Sequence, residues 1–209
     1  MNIFLPAQRT YEQQAYCDLV DEILLNRTDK EISNGKPEHA VYLMSKLFGL
    51  ATTKIRLYSD HLKHAVPVIG GVDGDVIDLY GEKEVIKNAI EFLKSPSASL
   101  EIVIENDIAN LEQHQLVKTI KKAKEQGLIQ GKFEIKKINQ SGLKWLKDND
   151  FLNHFLVADD HAYRIEIDDN PMNYQARANF NSNSTGYASG LLGLFDSLHW
   201  KKSDTQLSV

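Results

Sequence analysis

The stretch "HFLVADDHAYRIEI" (His154–Ile167) decides how the chain is read. An apolar run meets the polar pair Asp159-Asp160 and is followed by a second alternating run, the pattern of a β-hairpin. Two imidazoles, two turn carboxylates and one arginine fall within eleven residues. A two-residue turn at Asp159-Asp160 sets Ala158 against His161, Phe155 against Arg164 and His154 against Ile165. In that register His154 and Arg164 lie on opposite faces. A longer loop, or a bulge near His161, brings them to one face. The competing reading makes His154 a strand-capping residue and pairs Arg164 with a neighbouring carboxylate.

Upstream of the hairpin, helical and strand patterns alternate. "TYEQQAYCDLVDEILLNR" (10–27) repeats apolar residues at helical spacing, with Thr10 as N-cap. Pro37 suits the first position of a second helix, whose apolar set is Ala40, Val41, Leu43, Met44, Leu47 and Phe48. Strands are expected at 54–59, 99–106 and 132–138, and helices at 82–94, 110–127 and 141–150, the last capped by Ser141. Gly127 ends the middle helix. A strand-like stretch (174–183) and a closing helix follow the hairpin. The expected fold is α/β: a mixed, mostly parallel sheet flanked by helices. Residues 1–36 form an N-terminal helical extension, 37–203 the α/β domain and 204–209 a flexible tail.

The order of elements resembles one half of the phospholipase D superfamily fold. "TTKIRLYS" (52–59) follows a helix and "YGEKEVIKNAIEFLKSPSASLEIVIEN" (80–106) supplies the flanking helix and strand. "HFLVADDHAYRIE", then "ARANFNSNS" (176–184) and a terminal helix, sit where that family has its signature hairpin and phosphate-binding turn. The family signature is a histidine, one residue, a lysine, four residues and an aspartate, followed by Gly-Ser-x-Asn. Aligned on Asp159, the histidine position falls on Leu152 and the lysine position on His154. Aligned on His154, the lysine position is Leu156 and the aspartate position His161. No Gly-Ser-x-Asn occurs. The resemblance therefore implies a non-catalytic domain that binds a phosphorylated ligand or nucleic acid, or a subunit of a larger bacterial assembly such as a phage-defence system. The alternative it implies is an active homodimeric phosphodiesterase or nuclease, with His154 from each chain meeting at a dyad.

The candidate catalytic residue is His154. The candidate phosphate-binding residues are Arg164, Arg177, Asn179, Asn181 and Ser184. Arg177, Asn179 and Asn181 alternate along a strand, and Ser184 lies where the closing helix begins, a natural anion site. Asp159, Asp160, Asp168 and Asp169 allow an oxygen-ligated cation, but turn chemistry accounts for them better. His61 and His64 have no third ligand nearby in sequence. No metal and no cofactor are expected. Cys17 is the only cysteine, which rules out an intrachain disulfide and four-cysteine zinc sites, and its apolar setting reads as a small buried hydrophobe.

The formal net charge of −5 over 209 residues argues against broad non-specific duplex binding. The basic run at 118–127 has no interleaved aromatics for base stacking. No signal peptide or membrane span is apparent, so a cytoplasmic location is expected. Gly186, Gly190 and Gly193 in the closing helix point to close packing on the sheet, or to a self-association face anchored by Leu191, Leu194, Phe195 and Trp200. A homodimer or protein partner through that helix is the expected assembly.

Overall fold

The computed structural model describes residues 10–59, 62, 65–67, 76–105, 111–151, 153–167, 178–199 and 206–208. Its elements in chain order are α1 (Tyr11–Asn26), β1 (Ile32–Asn34), α2 (Pro37–Leu50), β2 (Lys54–Ser59), β3 (Ala65–Pro67), β4 (Val76–Asp78) and α3 (Lys83–Leu93). β5 (Ser99–Ile104), a 3-10 turn (Leu111–Gln113), α4 (Gln115–Glu125), β6 (Lys132–Lys137) and α5 (Gln140–Asp148) follow. β7 (Phe155–Ala158), β8 (Ala162–Glu166), β9 (Ala178–Asn181), α6 (Thr185–His199) and β10 (Gln206–Ser208) complete the chain.

Eight strands form one sheet in the order β1-β9-β8-β7-β2-β5-β6-β10, while β3 and β4 pair separately. The sheet is mixed as expected, but it is mostly antiparallel. Among the described residues only β2·β5 and β5·β6 run parallel. The reason lies in the connections. Helical crossovers through α3 and α4 keep strand direction in two places only. Elsewhere β7, β8 and β9 meander, β7 returns antiparallel to β2, and both edge strands add antiparallel. All three segments expected from the sequence contribute strands. β1 comes from the predicted helical extension, and β10 pairs with β6 where a flexible tail was expected.

One sheet face carries the larger core. Ile55, Leu57, Leu100, Ile102, Phe133, Ile135, Leu156 and Phe180 meet the buried sides of α1, α2, α3 and α4. All six apolar residues predicted to face inward from α2 are buried, which explains why that helix tolerates so little polarity. The opposite face is covered by α5 and α6 through Leu146, Ala188, Leu191, Phe195 and Leu198. Arg56 ties α6 down: its Nη2 lies 2.9 Å from Asp196 and its guanidinium sits 5.4 Å from the Phe195 ring centroid.

Local chemistry sets the element ends. Thr10 and Gln13 form a reciprocal capping box at α1. Gly127, at φ 69°, turns the chain after α4 in the left-handed region that glycine enters without strain. The cap of α5 is Asn139 rather than Ser141: the Asn139 carboxamide accepts from the Gly142 N–H and the Ser141 hydroxyl donates to it. An asparagine carbonyl reaches the first free N–H groups of a helix as well as a serine does, and here it moves the cap two residues earlier than expected.

Candidate functional site

The β7–β8 hairpin holds the decisive geometry. Its loop is three residues, Asp159 to His161, not two, and Asp159 is left-handed with φ 52°. Ala158 therefore pairs with Ala162, Leu156 with Arg164 and Phe155 with Ile165. The register expected for a two-residue turn is displaced by one. A one-residue displacement moves every side chain of one strand to the other face. Arg164, Glu166 and His154 consequently share a face, against the simplest reading of the sequence.

Asp159 explains the extra loop residue. Its carboxylate accepts from the backbone N–H groups of Thr52, Thr53 and Lys54, each at 2.9 Å, and from the Thr52 and Thr53 hydroxyls at 2.9 and 2.8 Å. Its own N–H donates to the Lys54 carbonyl at 2.7 Å. Partial burial pushes the carboxyl pKa up, but the N–H groups of Lys54, Thr52 and Thr53 and the Thr53 hydroxyl outweigh it and bring it down to about 2. Asp159 is thus a bolt between the hairpin tip and the start of β2. With five donors already on its two oxygens, it is not a cation ligand. Asp160 is exposed and lies 3.3 Å from His161 Nδ1. Among the described residues no group of three or more metal-binding side chains converges.

At the other end of the hairpin, the carboxyl ends of β2, β5 and β6 meet the start of β7 and the end of β8. In open α/β sheets that edge is the usual place for ligands. His154 Nδ1 stands 3.1 Å from Glu166 Oε2, and Arg164 Nη1 donates to Glu166 Oε1 at 3.0 Å. Their side chains are 19%, 13% and 2% exposed for His154, Glu166 and Arg164 respectively, so burial deepens from imidazole to guanidinium. The Glu166 N–H also donates to the His154 carbonyl, which fixes the two side chains in one row. Tyr58 presents its ring to the His154 imidazole, centroids 5.8 Å apart, and its hydroxyl donates to Glu105. Asn34 and Ser59 are buried at the same end of their strands.

α1 and α2 pack on the sheet face that carries Arg164, the face of its strand partners Leu156 and Phe180. Tyr16 stacks on His39 with ring centroids 3.6 Å apart and planes 3° from parallel. Burial drives the Tyr16 phenol well above its ordinary pKa, with the nearby Arg164 charge pulling the other way. Burial, and then Lys36, hold His39 below the ordinary imidazole range. Lys36 Nζ reaches Glu12 Oε1 at 2.7 Å and bridges the starts of α2 and α1.

The other sequence-predicted residues go elsewhere. Asn179 and Asn181 lie on the opposite face of the sheet from Arg164, because Phe180 is the residue paired with Arg164. Their amides bind carboxylates. Asn179 Nδ2 donates to Glu31 at 2.7 Å and Asn181 Nδ2 to Asp29 at 2.7 Å. Tyr163 also donates to Glu31. These contacts pin the α1–β1 connection and do not adjoin His154. Ser184 sits by the hairpin tip, its N–H donating to the His161 carbonyl at 2.8 Å. The expected cradle of Asn179, Asn181 and Ser184 beside His154 is therefore not assembled. Arg177, Asp168, Asp169, His61, His64 and Trp200 lie outside the described residues. Gly186, Gly190 and Gly193 face outward, and a Cβ at any of them would meet nothing within 4 Å, so they do not serve close packing on the sheet.

Sequence reading missed Glu166, Tyr16 and His39. Glu166 was legible in principle: two positions after Arg164 in a strand, it must share that face. Tyr16 and His39 come from helices distant in sequence, and only tertiary packing joins them to the hairpin. The basic run of α4 is a solvated helix face, with Lys118, Lys122 and Lys124 exposed.

No protein-family model matches the sequence, and no curated protein matches it at a significant level. Among solved structures the chain is similar to TrmBL2, an archaeal chromatin protein described as showing a novel mode of DNA binding. The TM-score is 0.52 at 12% identity, covering 92% of this chain and 61% of that one. The chain thus spans less than two thirds of the chromatin protein's length, and at that identity the likeness is one of fold. A phospholipase D family member, Nuc from Salmonella typhimurium, is matched with a TM-score of 0.48 and 12% identity over 81% of this chain and 93% of that one.

Proposed function

We propose that this chain is a non-catalytic, phospholipase D-like domain that binds a phosphorylated ligand or a nucleic acid end at the His154–Glu166–Arg164 edge. The observation that carries this reading is the register. The register brings His154 and Arg164 to one face, but the family signature stays broken: aligned on Asp159 its histidine position is Leu152, which cannot attack phosphorus, and aligned on His154 its lysine position is Leu156. In the first alignment the His154 imidazole takes the lysine position, and the Glu166 carboxylate holds it. An arginine and an imidazole there can hold phosphate oxygens without performing displacement. A fold neighbour that binds DNA keeps nucleic acid among the ligands. The net charge of −5 favours contact at an end or a single phosphate over a duplex track.

The second reading is an active homodimeric phosphodiesterase, and the His154–Glu166 pair at 3.1 Å is the observation in its favour. A carboxylate that orients an imidazole is the arrangement a nucleophilic or basic histidine needs. One experiment separates the two. Purified protein is incubated with single-stranded DNA, RNA and a generic phosphodiester without added metal, beside His154→Ala. No turnover, with binding of a 5′-phosphorylated oligonucleotide weakened by His154→Ala, supports the first reading. Turnover that disappears in His154→Ala establishes the second. As a subunit of a larger bacterial assembly, the domain would self-associate or dock through the outward face of α6. Sedimentation of a Tyr187→Lys variant tests that surface, and genes adjacent to this one bear directly on a defence role.

A further inference from the structure

Arg164 is the most deeply buried lysine or arginine among the described residues, at 2% exposure. It commits Nη1 to Glu166. Its side-on edge, Nε and Nη2, is fully covered and has no hydrogen-bond partner. Two further orphaned polar atoms belong to residues of the same face: the Tyr16 hydroxyl and His39 Nε2, on the stacked rings of α1 and α2. Three elements far apart in sequence therefore bury unmatched polar atoms on one side of the sheet, where the Tyr16 and His39 rings stack and Tyr16 feels the Arg164 charge. Native interiors seldom leave such groups unmatched, least of all on a guanidinium.

We propose that the Nε–Nη2 edge of Arg164, with the Tyr16 hydroxyl and His39 Nε2, receives the terminal phosphate of a small phosphomonoester enclosed between α1, α2 and the sheet. This deepens, and rests on, the reading of this edge as a phosphate site. The side-on edge of a guanidinium binds two oxygens of one oxyanion in parallel. The Tyr16 hydroxyl, and His39 in its Nε2–H tautomer, supply donors for a further oxygen, which a phosphomonoester has and a carboxylate lacks. The first turn of α2, which carries His39, adds the positive end of a helix dipole. The burial of Arg164 sets ligand size. A polymer running past the sheet edge meets His154 and Glu166 but does not reach Nε. The Lys36–Glu12 bridge joins the starts of the two helices and is the contact that entry between them would part.

Calorimetric titration tests the proposal with inorganic phosphate, a nucleoside 5′-monophosphate and a 5′-phosphorylated oligonucleotide of matching terminal base. Both small phosphates are expected to bind, and the oligonucleotide no more tightly than the monophosphate. Arg164→Lys, which keeps the charge and loses the side-on edge, is expected to weaken phosphate by about tenfold or more. Tyr16→Phe removes only an orphaned hydroxyl and is expected to weaken phosphate by about threefold or more while the melting temperature holds or rises. Equal phosphate affinity in wild type and Tyr16→Phe overturns the proposal, as does an oligonucleotide that binds far more tightly than the monophosphate. If small phosphates do not bind but the oligonucleotide does, and His154→Ala abolishes it, the enclosed site is wrong and the broader reading stands. If nothing phosphorylated binds, both fall.

Discussion

At the scale of single residues, Asp159 shows how one carboxylate sets a register. It satisfies three backbone N–H groups at the start of β2 and two hydroxyls, with a pKa lowered to about 2 from an ordinary 3.8. Its folded pKa lies below its unfolded one, so its contribution is complete above pH ~4 and is lost as pH falls from ~4 towards ~2. Replacing it by alanine should cost about 1–2 kcal/mol at neutral pH, a figure discounted because the group is only partly buried. Urea melts at pH 7 and pH 3 check this: the variant should be less stable at pH 7, and the gap should narrow at pH 3. Glu166 is the second such residue. Glu166→Gln leaves a buried guanidinium without its counter-charge, and a loss of about 3 kcal/mol is expected in the same melts. Neither role is visible from composition. Asp159 reads as an ordinary turn aspartate until its acceptors are matched to donors more than 100 residues away.

Among elements, the hairpin carries the site, while the α1–β1 connection is pinned on the opposite face of the sheet. Deleting His161 would shorten the loop to two residues and impose the register that the sequence suggests by default. Arg164 would then be driven to the face lined by Tyr163 and Ile165, beneath α6, while apolar residues took its place. The expected outcome is loss of cooperative unfolding by circular dichroism, whereas His161→Gly keeps the loop length and should fold. The α1–β1 connection is held by Asn179, Asn181 and Tyr163 on Glu31 and Asp29. Asn181→Ala should destabilise by about 1 kcal/mol and raise hydrogen exchange in β1 and α1 ahead of the central strands. In α6, Gly190 is exposed with open space around it, so Gly190→Ala should raise stability by about 0.5–1 kcal/mol in dilute solution. A thermal melt that falls instead would mean that another surface already approaches that helix.

For the whole molecule, the eight-stranded sheet joins segments from residue 32 to residue 208. Removing residues 204–209 would uncover β6 as an edge strand. The expected result is a lower melting temperature and concentration-dependent association, moderated by the charges Lys132, Glu134 and Lys136 along that strand. Among the described residues no helix is long and apolar enough to cross a membrane. The periodicity of α1 to α4, the short strands β2, β5 and β6 and the existence of the hairpin were determined by the sequence alone. Each depends on local alternation of apolar and polar residues, which has the period of the element it builds. Sheet direction, the three-residue loop, the meeting of Tyr16, His39 and Arg164, and the withdrawal of Asn179 and Asn181 from His154 were decided by tertiary structure. Strand pairing and buried polar contacts are chosen by partners distant along the chain, and a displacement of one residue, invisible to periodicity, exchanges the two faces of a sheet.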